Sequence, residues 1–248
     1  MTDSYLQTDL PIYVISFKNP ERKQRMTDRF KSVGFELIFT PEVYKDDIRI
    51  TSLSDKEKYN KIDPRTWSIM LQHMDAVRDF YENTQNDLCI VCEDDIMISK
   101  NFKEDINTII PIFNELKLDV LMLGFLLPFK IEDYNWHFPK VYSYSTECSN
   151  ISSFNIHKYP NDVWGTQMYM ISRSYAKFLL DSFDITYAYN NVETYPYSCD
   201  WIITKNGNRA LVYPMIALEE GVNVSDCYDQ VDYHKRCFDA QYEPNRFI

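Results

Sequence analysis

Glycine is scarce in this chain, with five residues in 248. That leaves little room for a phosphate-cradling loop, and neither G-x-G-x-x-G nor G-x-x-x-x-G-K-[ST] occurs. Dinucleotide oxidoreductases and P-loop kinases thereby lose their main sequence support. G-x-S-x-G and H-E-x-x-H are absent as well, which removes the α/β-hydrolase and zincin signatures. No basic run offsets a formal net charge of −11. Nucleic acid is therefore excluded as an expected partner, and anionic membrane is disfavoured. No apolar run approaches the roughly 18 residues of a membrane span, and the polar Met1–Leu10 does not read as a signal peptide. Six cysteines are too dilute for a disulfide framework. The expectation is a cytoplasmic protein with no transmembrane segment, in which the sequons at Asn150–Ser152 and Asn223–Ser225 carry little weight.

An apolar share of 45% with 25% charged residues excludes a disordered chain, and the length suits a single domain. The order of elements reads as alternating β and α. Ile12–Phe17 is a short run of β-formers, hence a buried strand. Asn19 then caps a helix with Pro20 at its first position; Met26, Phe30 and Val33 continue it and Gly34 ends it. Glu36–Phe39 reads as a second strand, and residues 43–63 as loop with a short helix. Trp67, Met70, Leu71, Met74, Val77 and Tyr81 form one helical stripe. Leu88–Val91, Val120–Phe125, Gln167–Ile171 and Ala210–Tyr213 read as further strands. Helices are expected from Arg173 to about Leu180, capped by Ser172, and around Asp200–Lys205. Residues 128–162 read as loops, with room for an edge hairpin, that form part of a cleft. From Glu219 the chain is polar and acidic.

Glu93-Asp94-Asp95 is the most informative feature. A strand that is apolar through Cys92 and then releases three carboxylates places them at a strand's carboxyl end, where open α/β sheets bind ligands. In extended backbone Glu93 and Asp95 project to one side, so both can face a cation while Asp94 points away or to a ribose. Carboxylate oxygens suit Mn²⁺ or Mg²⁺. The competing reading is a solvated acidic turn. Cys89 and Cys92 face opposite sides of their strand and are read as structural. His73 sits on the Trp67–Tyr81 helix, either as a buried core residue or beneath the site. His234 is a candidate third metal ligand. Aromatics are abundant (19 Tyr, 15 Phe and 4 Trp), as core and surface residues or as sugar-stacking platforms.

The ordered motifs resemble the family 25 glycosyltransferases. The family's opening "VINL" strand and R-x-x-R helix are matched by Val14-Ile15-Ser16-Phe17 with Arg22 and Arg25. Its L-S-H helix is matched by Leu71-Gln72-His73, with Arg78 following, and its "ILEDDV" by Ile90–Ile96. G-T-x-x-Y-x-I-S appears as Gly165–Ser172, P-x-D as Ser198-Cys199-Asp200, and a late S-D as Ser225-Asp226. Three departures stand out: Gln72 replaces the motif Ser, Cys92 precedes the acids, and the proline has moved to Pro196. The resemblance spans roughly residues 11–227, leaving 228–248 as a C-terminal tail of one domain.

The resemblance implies a GT-A-type (Rossmann-like) α/β fold with a mixed, mostly parallel sheet flanked by helices. It also implies inversion, with a hexose passing from a UDP-sugar (galactose most often, glucose as an option) to a glycan or protein hydroxyl. Ser16, Arg22, His73, Asp94, Gly165 and Thr166 would face the donor. Glu93 and Asp95, with His234, would hold Mn²⁺ or Mg²⁺. Asp200 would be the base, or else only cap the helix it opens. The rivals are a glycan- or nucleotide-sugar-binding module without turnover and a nucleotidyltransferase. The latter calls for a basic glycine-rich loop that Ser16–Lys23 does not supply.

Overall fold

The computed structural model describes residues 10–53, 56–148, 151–221 and 228–248. The Asn223–Ser225 sequon, the Ser225-Asp226 motif, Asn150 and most of Met1–Leu10 lie outside these residues. Strand β1 (Ile12–Ile15) is buried along its whole length. Helix α1 (Pro20–Ser32) follows, with Asn19 Oδ1 accepting the Arg22 backbone N–H at 3.0 Å. Then come β2 (Ile38–Phe39), the short helices α2 (Ile48–Thr51) and α3 (Lys56–Tyr59), and α4 (Pro64–Asn83). The middle of the chain supplies β3 (Leu88–Glu93), β4 (Ile96–Ile98), α5 (Phe102–Glu115) and β5 (Val120–Leu126). A 3₁₀ turn and the hairpin of β6 (Lys140–Tyr144) and β7 (Phe154–Lys158) lead to β8 (Trp164–Ser172). Helices α6 (Arg173–Ser182), α7 (Ile185–Asn190) and α8 (Cys199–Ile202) precede β9 (Arg209–Tyr213), β10 (Ala217–Glu219) and α9 (Tyr228–Gln241).

The main sheet has the order β2-β1-β3-β8-β5-β9-β7-β6. Strand β1 pairs parallel with β2 and β3, and β5 parallel with β9. The pairings β3–β8, β5–β8, β7–β9 and β6–β7 are antiparallel. The α/β class and the mixed, helix-flanked sheet agree with expectation, but "mostly parallel" is corrected. The reason is that β8 enters antiparallel between β3 and β5. It is buried on both faces, so its apolar run carries no mark of direction.

Alternation along the strands splits the core in two. Tyr13, Val91, Tyr169 and Met122 pack on the α4 and α6 side; Ile12, Val14, Ile90, Met168 and Leu121 pack with Met26, Phe30, Phe102 and Ile109 of α1 and α5. Cys89 and Cys92 fall in opposite layers as free thiols. Helix α5 escapes the sequence pattern because Pro111 stands inside it, yet Ile106, Ile109 and Phe113 bury its inner face.

Two further departures shape the site. Residues 128–162 contain a hairpin, as allowed, but none of the described residues among them lines the acidic cleft. The C-terminal segment is packed rather than a polar tail. Gln241 Nε2 donates to the carbonyls of Leu127 and Phe129, and Phe247 is buried. Among the described residues no helix is long and apolar enough to cross a membrane.

His73 belongs to this core and not to the donor-binding set. It has no exposed surface, its Nδ1 lies 2.9 Å from the Tyr169 hydroxyl, and its ring stacks on Tyr169 at 5.8 Å. Burial lowers its pKa to about 3. Below the unfolded value of about 6.5 the unfolded chain therefore binds a proton that the folded chain refuses, and stability falls as pH drops. Between pH 7.5 and 5 this amounts to about 2 kcal/mol. His73→Phe is expected to flatten that part of the pH dependence in urea titrations; an unchanged slope would place the titration elsewhere.

Candidate active site

Parallel pairing of β1 with β3 sets Ile15 beside Glu93, so both carboxyl ends open at the same place. The smaller sheet brings in a third element: β10 runs antiparallel to β4 with Glu219 opposite Ile96, and the Glu220 N–H donates to the Asp95 carbonyl at 2.7 Å. Gly124 permits this approach, since a Cβ there would stand 2.8 Å from the Ala217 carbonyl oxygen. The result is a cleft of about 690 Å³ over Glu93, Asp94, Asp95, Asp200 and Glu219.

The geometry of the triplet differs from an extended strand end. Glu93 ends β3, while Asp94 and Asp95 form the turn into β4, so strict alternation stops at Glu93. Asp94 does not point away. Its two oxygens accept from Ser16 Oγ at 2.6 Å and from Arg22 Nη1 at 3.0 Å. The same Arg22 nitrogen reaches Asp95 Oδ2 at 3.0 Å. Burial opposes the charge on the Arg22 guanidinium, but Asp95 and Asp94 outweigh it and raise its pKa. Ser16, Arg22 and Asp94 are thus tied to one another at the cleft floor. Gln72, at the position of the family's Ser, donates to the Ser16 carbonyl at 3.0 Å and to Thr40 Oγ1 at 3.2 Å, holding the end of β1 in place.

The remaining carboxyls are short of cations. Burial, then the Glu219 charge, pushes Asp95 up to about 7, against the pull of Arg22. Its Oδ1 is buried and meets no donor among the described residues. Burial raises Glu93 well above the carboxylate range, with Asp95, Glu219 and Asp200 adding to it; Thr166 Oγ1 donates to its Oε1 at 3.2 Å. Asp200 is also raised by burial, while its Oδ1 accepts the Gly165 backbone N–H at 2.6 Å. Its carboxylate therefore serves β8 rather than capping α8. Gly165 has φ +105°, and a Cβ there would stand 2.9 Å from the Leu126 nitrogen, so the glycine lets β8 pass β5 at the site.

His234 on α9 lines the cleft but is held by Glu219, with Nδ1 2.7 Å from Oε2. Burial alone lowers its pKa; the Glu219 carboxylate outweighs this and raises it. Among the described residues no three His, Cys, Asp or Glu side chains form a ready-made metal cage, so the expected trio Glu93, Asp95 and His234 is not assembled. A hard cation does not require one, since Mg²⁺-type sites use one or two carboxylates completed by substrate phosphates. The desolvated Glu93 carboxyl and the Asp95 oxygen, which meets no donor among the described residues, fit that role. Sequence reasoning missed Gln72, Glu219, Phe17 and Trp164, which all line the cleft. The aromatic abundance was a signal for the last two, and nothing singled out Glu219.

Residues 80–193 match the family model described as Glycosyltransferase family 25 (LPS biosynthesis protein). That segment holds the acidic triplet, Gly165 and Thr166 but not Ser16, Arg22, Asp200 or His234. No curated protein matches the chain in sequence. Two solved structures resemble it distantly. A197 from STIV is 14% identical, covering 86% of this chain and 92% of that one, with a TM-score of 0.41. HddC from Yersinia pseudotuberculosis is 12% identical, covering 93% and 99%, with a TM-score of 0.40. Over residues 80–193, somewhat less than half of its length, the chain is similar to glycosyltransferase family 25.

Proposed function

We propose that this chain is a metal-dependent, inverting glycosyltransferase that moves a hexose, galactose before glucose, from a UDP-sugar to an acceptor hydroxyl. The observation that carries the reading is the buried carboxylate cluster, in which, among the described residues, Asp95 Oδ1 meets no donor and one guanidinium is shared between Asp94 and Asp95. A diphosphate would meet net negative charge in this cleft unless a divalent cation came with it. Glu93 and Asp95 would hold Mn²⁺ or Mg²⁺. When bound, the ion supplies Lewis-acid stabilisation of the charge on the departing diphosphate.

The chain's own residues do the rest. Phe17, 47% exposed at the end of β1 and edge-on to Tyr44 at 5.0 Å, offers the donor's base an aromatic surface. Arg22 and Ser16 keep Asp94 and Asp95 aimed into the cleft. Asp200, held by the Gly165 N–H, takes the proton of the acceptor hydroxyl. The hydroxyl oxygen then bonds to the anomeric carbon as the bond to UDP breaks, and configuration inverts. A carboxyl raised towards working pH is the better base for this transfer. A cleft of about 690 Å³ falls within the range of small-molecule and cofactor sites.

The test is UDP release from UDP-galactose and UDP-glucose with Mn²⁺, before and after EDTA. Release is expected to stop with EDTA and to be lost in Asp95→Ala; a wild-type rate in Asp95→Ala would place the metal elsewhere. Loss of metal-dependent release with every UDP-sugar, alongside retained sugar-nucleotide binding, would make the protein a binding module. Asp200→Asn keeps the shape and removes the base. It should lower kcat by roughly 10²–10⁴-fold with little change in donor KM. A kcat within twofold of wild type would dismiss Asp200 as the base.

A further inference from the structure

Strand β8 is irregular where it passes the acids. Met168 pairs with Gly124 and Trp164 with Leu126, so four steps of β8 stand against two of β5. Extra residues on one strand break the alternation of faces and re-aim side chains. Two residues in this stretch turn to the cleft acids. Thr166 Oγ1 donates to Glu93 Oε1 at 3.2 Å, and Gln167 Nε2 donates to Glu219 Oε2 at 3.4 Å. Gln167 is 2% exposed and lines the cleft. Its other amide atom, Oε1, is buried and meets no donor among the described residues. The orientation of the amide is set by its anchor. Glu219 Oε2 takes the amide N–H and is itself held by His234, with Nδ1 at 2.7 Å, so turning the amide round would set two oxygens against each other. Gly165 provides the room for this carbonyl, since a Cβ there would stand 2.1 Å from Oε1. Leaving a buried acceptor unpaired costs about 1–3 kcal/mol, which a ligand donor at that point would recover.

The neighbours of Gln167 say which part of a ligand its carbonyl meets. Gly165, against which Oε1 lies, is also the residue whose N–H holds Asp200. Glu219, which anchors the amide, adjoins Glu220, whose N–H donates to the Asp95 carbonyl at 2.7 Å. Gln167 thus reaches from the Asp200 side of the cleft to the Asp95 side. In an inverting displacement the anomeric carbon occupies that interval, with the leaving diphosphate towards Glu93 and Asp95 and the incoming hydroxyl towards Asp200. A neutral carbonyl there offers nothing to a phosphate oxygen and accepts from a hydroxyl. We propose that Gln167 is a specificity-determining residue: its Oε1 accepts one hydroxyl of the transferred hexose, and Glu219 and His234 fix the amide that presents it. This rests on the transferase reading of the same cleft. It adds to that reading the group that reads the sugar, at a position that the motif G-T-x-x-Y leaves open.

The experiment uses the full chain with Mn²⁺, UDP-galactose and its 2-, 3-, 4- and 6-deoxy analogues. UDP release gives the rate and titration calorimetry the affinity. In wild type one deoxy analogue is expected to lose about 10–100-fold in kcat/KM, the effect of leaving the buried acceptor unpaired. Gln167→Met keeps the bulk and removes the acceptor. UDP-galactose should then fall to the level of that analogue, while the analogue itself changes by less than about twofold and the affinity for UDP stays as in wild type. A merely structural glutamine would instead lower every sugar together. Thermal melts show that the variant is folded, and Gln167→Leu serves as the second variant. A wild type indifferent to all the deoxy analogues would overturn the assignment without any variant, as would a folded variant that keeps the discrimination. Should the wild type turn over no UDP-sugar, calorimetry with the same series decides separately. Hydroxyl-dependent binding that is lost in Gln167→Met would uphold the subsite and remove the transferase reading beneath it; absence of any sugar-dependent binding would overturn both.

Discussion

Like-charge crowding at one end of the sheet is the constraint around which the rest of the molecule is arranged. Glu93, Asp94, Asp95, Asp200 and Glu219 share one cleft, and among the described residues Arg22 and the protonatable His234 pair with members of it while Lys205 acts on Asp200. Desolvating an ion costs roughly several kcal/mol after relaxation, so a cluster of this kind cannot be fully ionised without help. The structure answers in three ways. Asp94 is fully bonded by Ser16 and Arg22, Glu219 is matched with His234, and Glu93, Asp95 and Asp200 are pushed towards their protonated forms. The last group is the part of the cleft that a divalent cation would relieve.

The fold delivers those groups from separate elements, and each has a local reason to be where it is. Parallel β1 and β3 end together, the short antiparallel pair β4 and β10 pulls Glu219 beside the triplet, and Gly124 makes room for that pair. Arg25 and Arg29 of α1 bind Glu220 at 3.0 Å and so fasten the same strand end from the other side. Because Arg22 lies on the same helix, α1 serves both the acidic cluster and the β10 that frames it.

Much of this was legible from the chain. The ends of β1 and α1, the helix of α4, the acidic triplet after an apolar strand, and the Gly165-Thr166 step all carry local patterns that do not depend on tertiary context. What escaped depended on the partner strand or the packing surface. Direction is invisible in a doubly buried run such as β8. A helix containing Pro111 is stabilised by what its other residues bury, and α9 by its place on the cleft wall and the Gln241 bonds beyond it. The extended-strand premise for the triplet failed for a similar reason: the pairing of β4 with β10 begins at Ile96 and forces a turn at Asp94-Asp95. His73 illustrates the reverse case. Its helix and neighbours were read correctly, yet only the Tyr169 ring on the adjoining strand decides that it is core.

The cleft divides along the strand order into two chemically different halves. On the β1 side lie Ser16, Arg22 and Phe17, a hydroxyl, a cation and one aromatic ring; on the β8 side lie Gly165, Trp164 and Asp200. The dividing line is the pair of carboxylates that most need a cation, Glu93 and Asp95. Positioning on the β8 side relies on backbone, because the Asp200 carboxylate is fixed by a main-chain N–H at a glycine whose φ of +105° is rarely accessible to other residues. A carboxylate held by the main chain of a buried strand has little freedom left to lose when a ligand arrives. A side-chain partner would instead have to be ordered at that moment. The same strand carries Trp164, so this indole and the backbone N–H that holds Asp200 belong to one element.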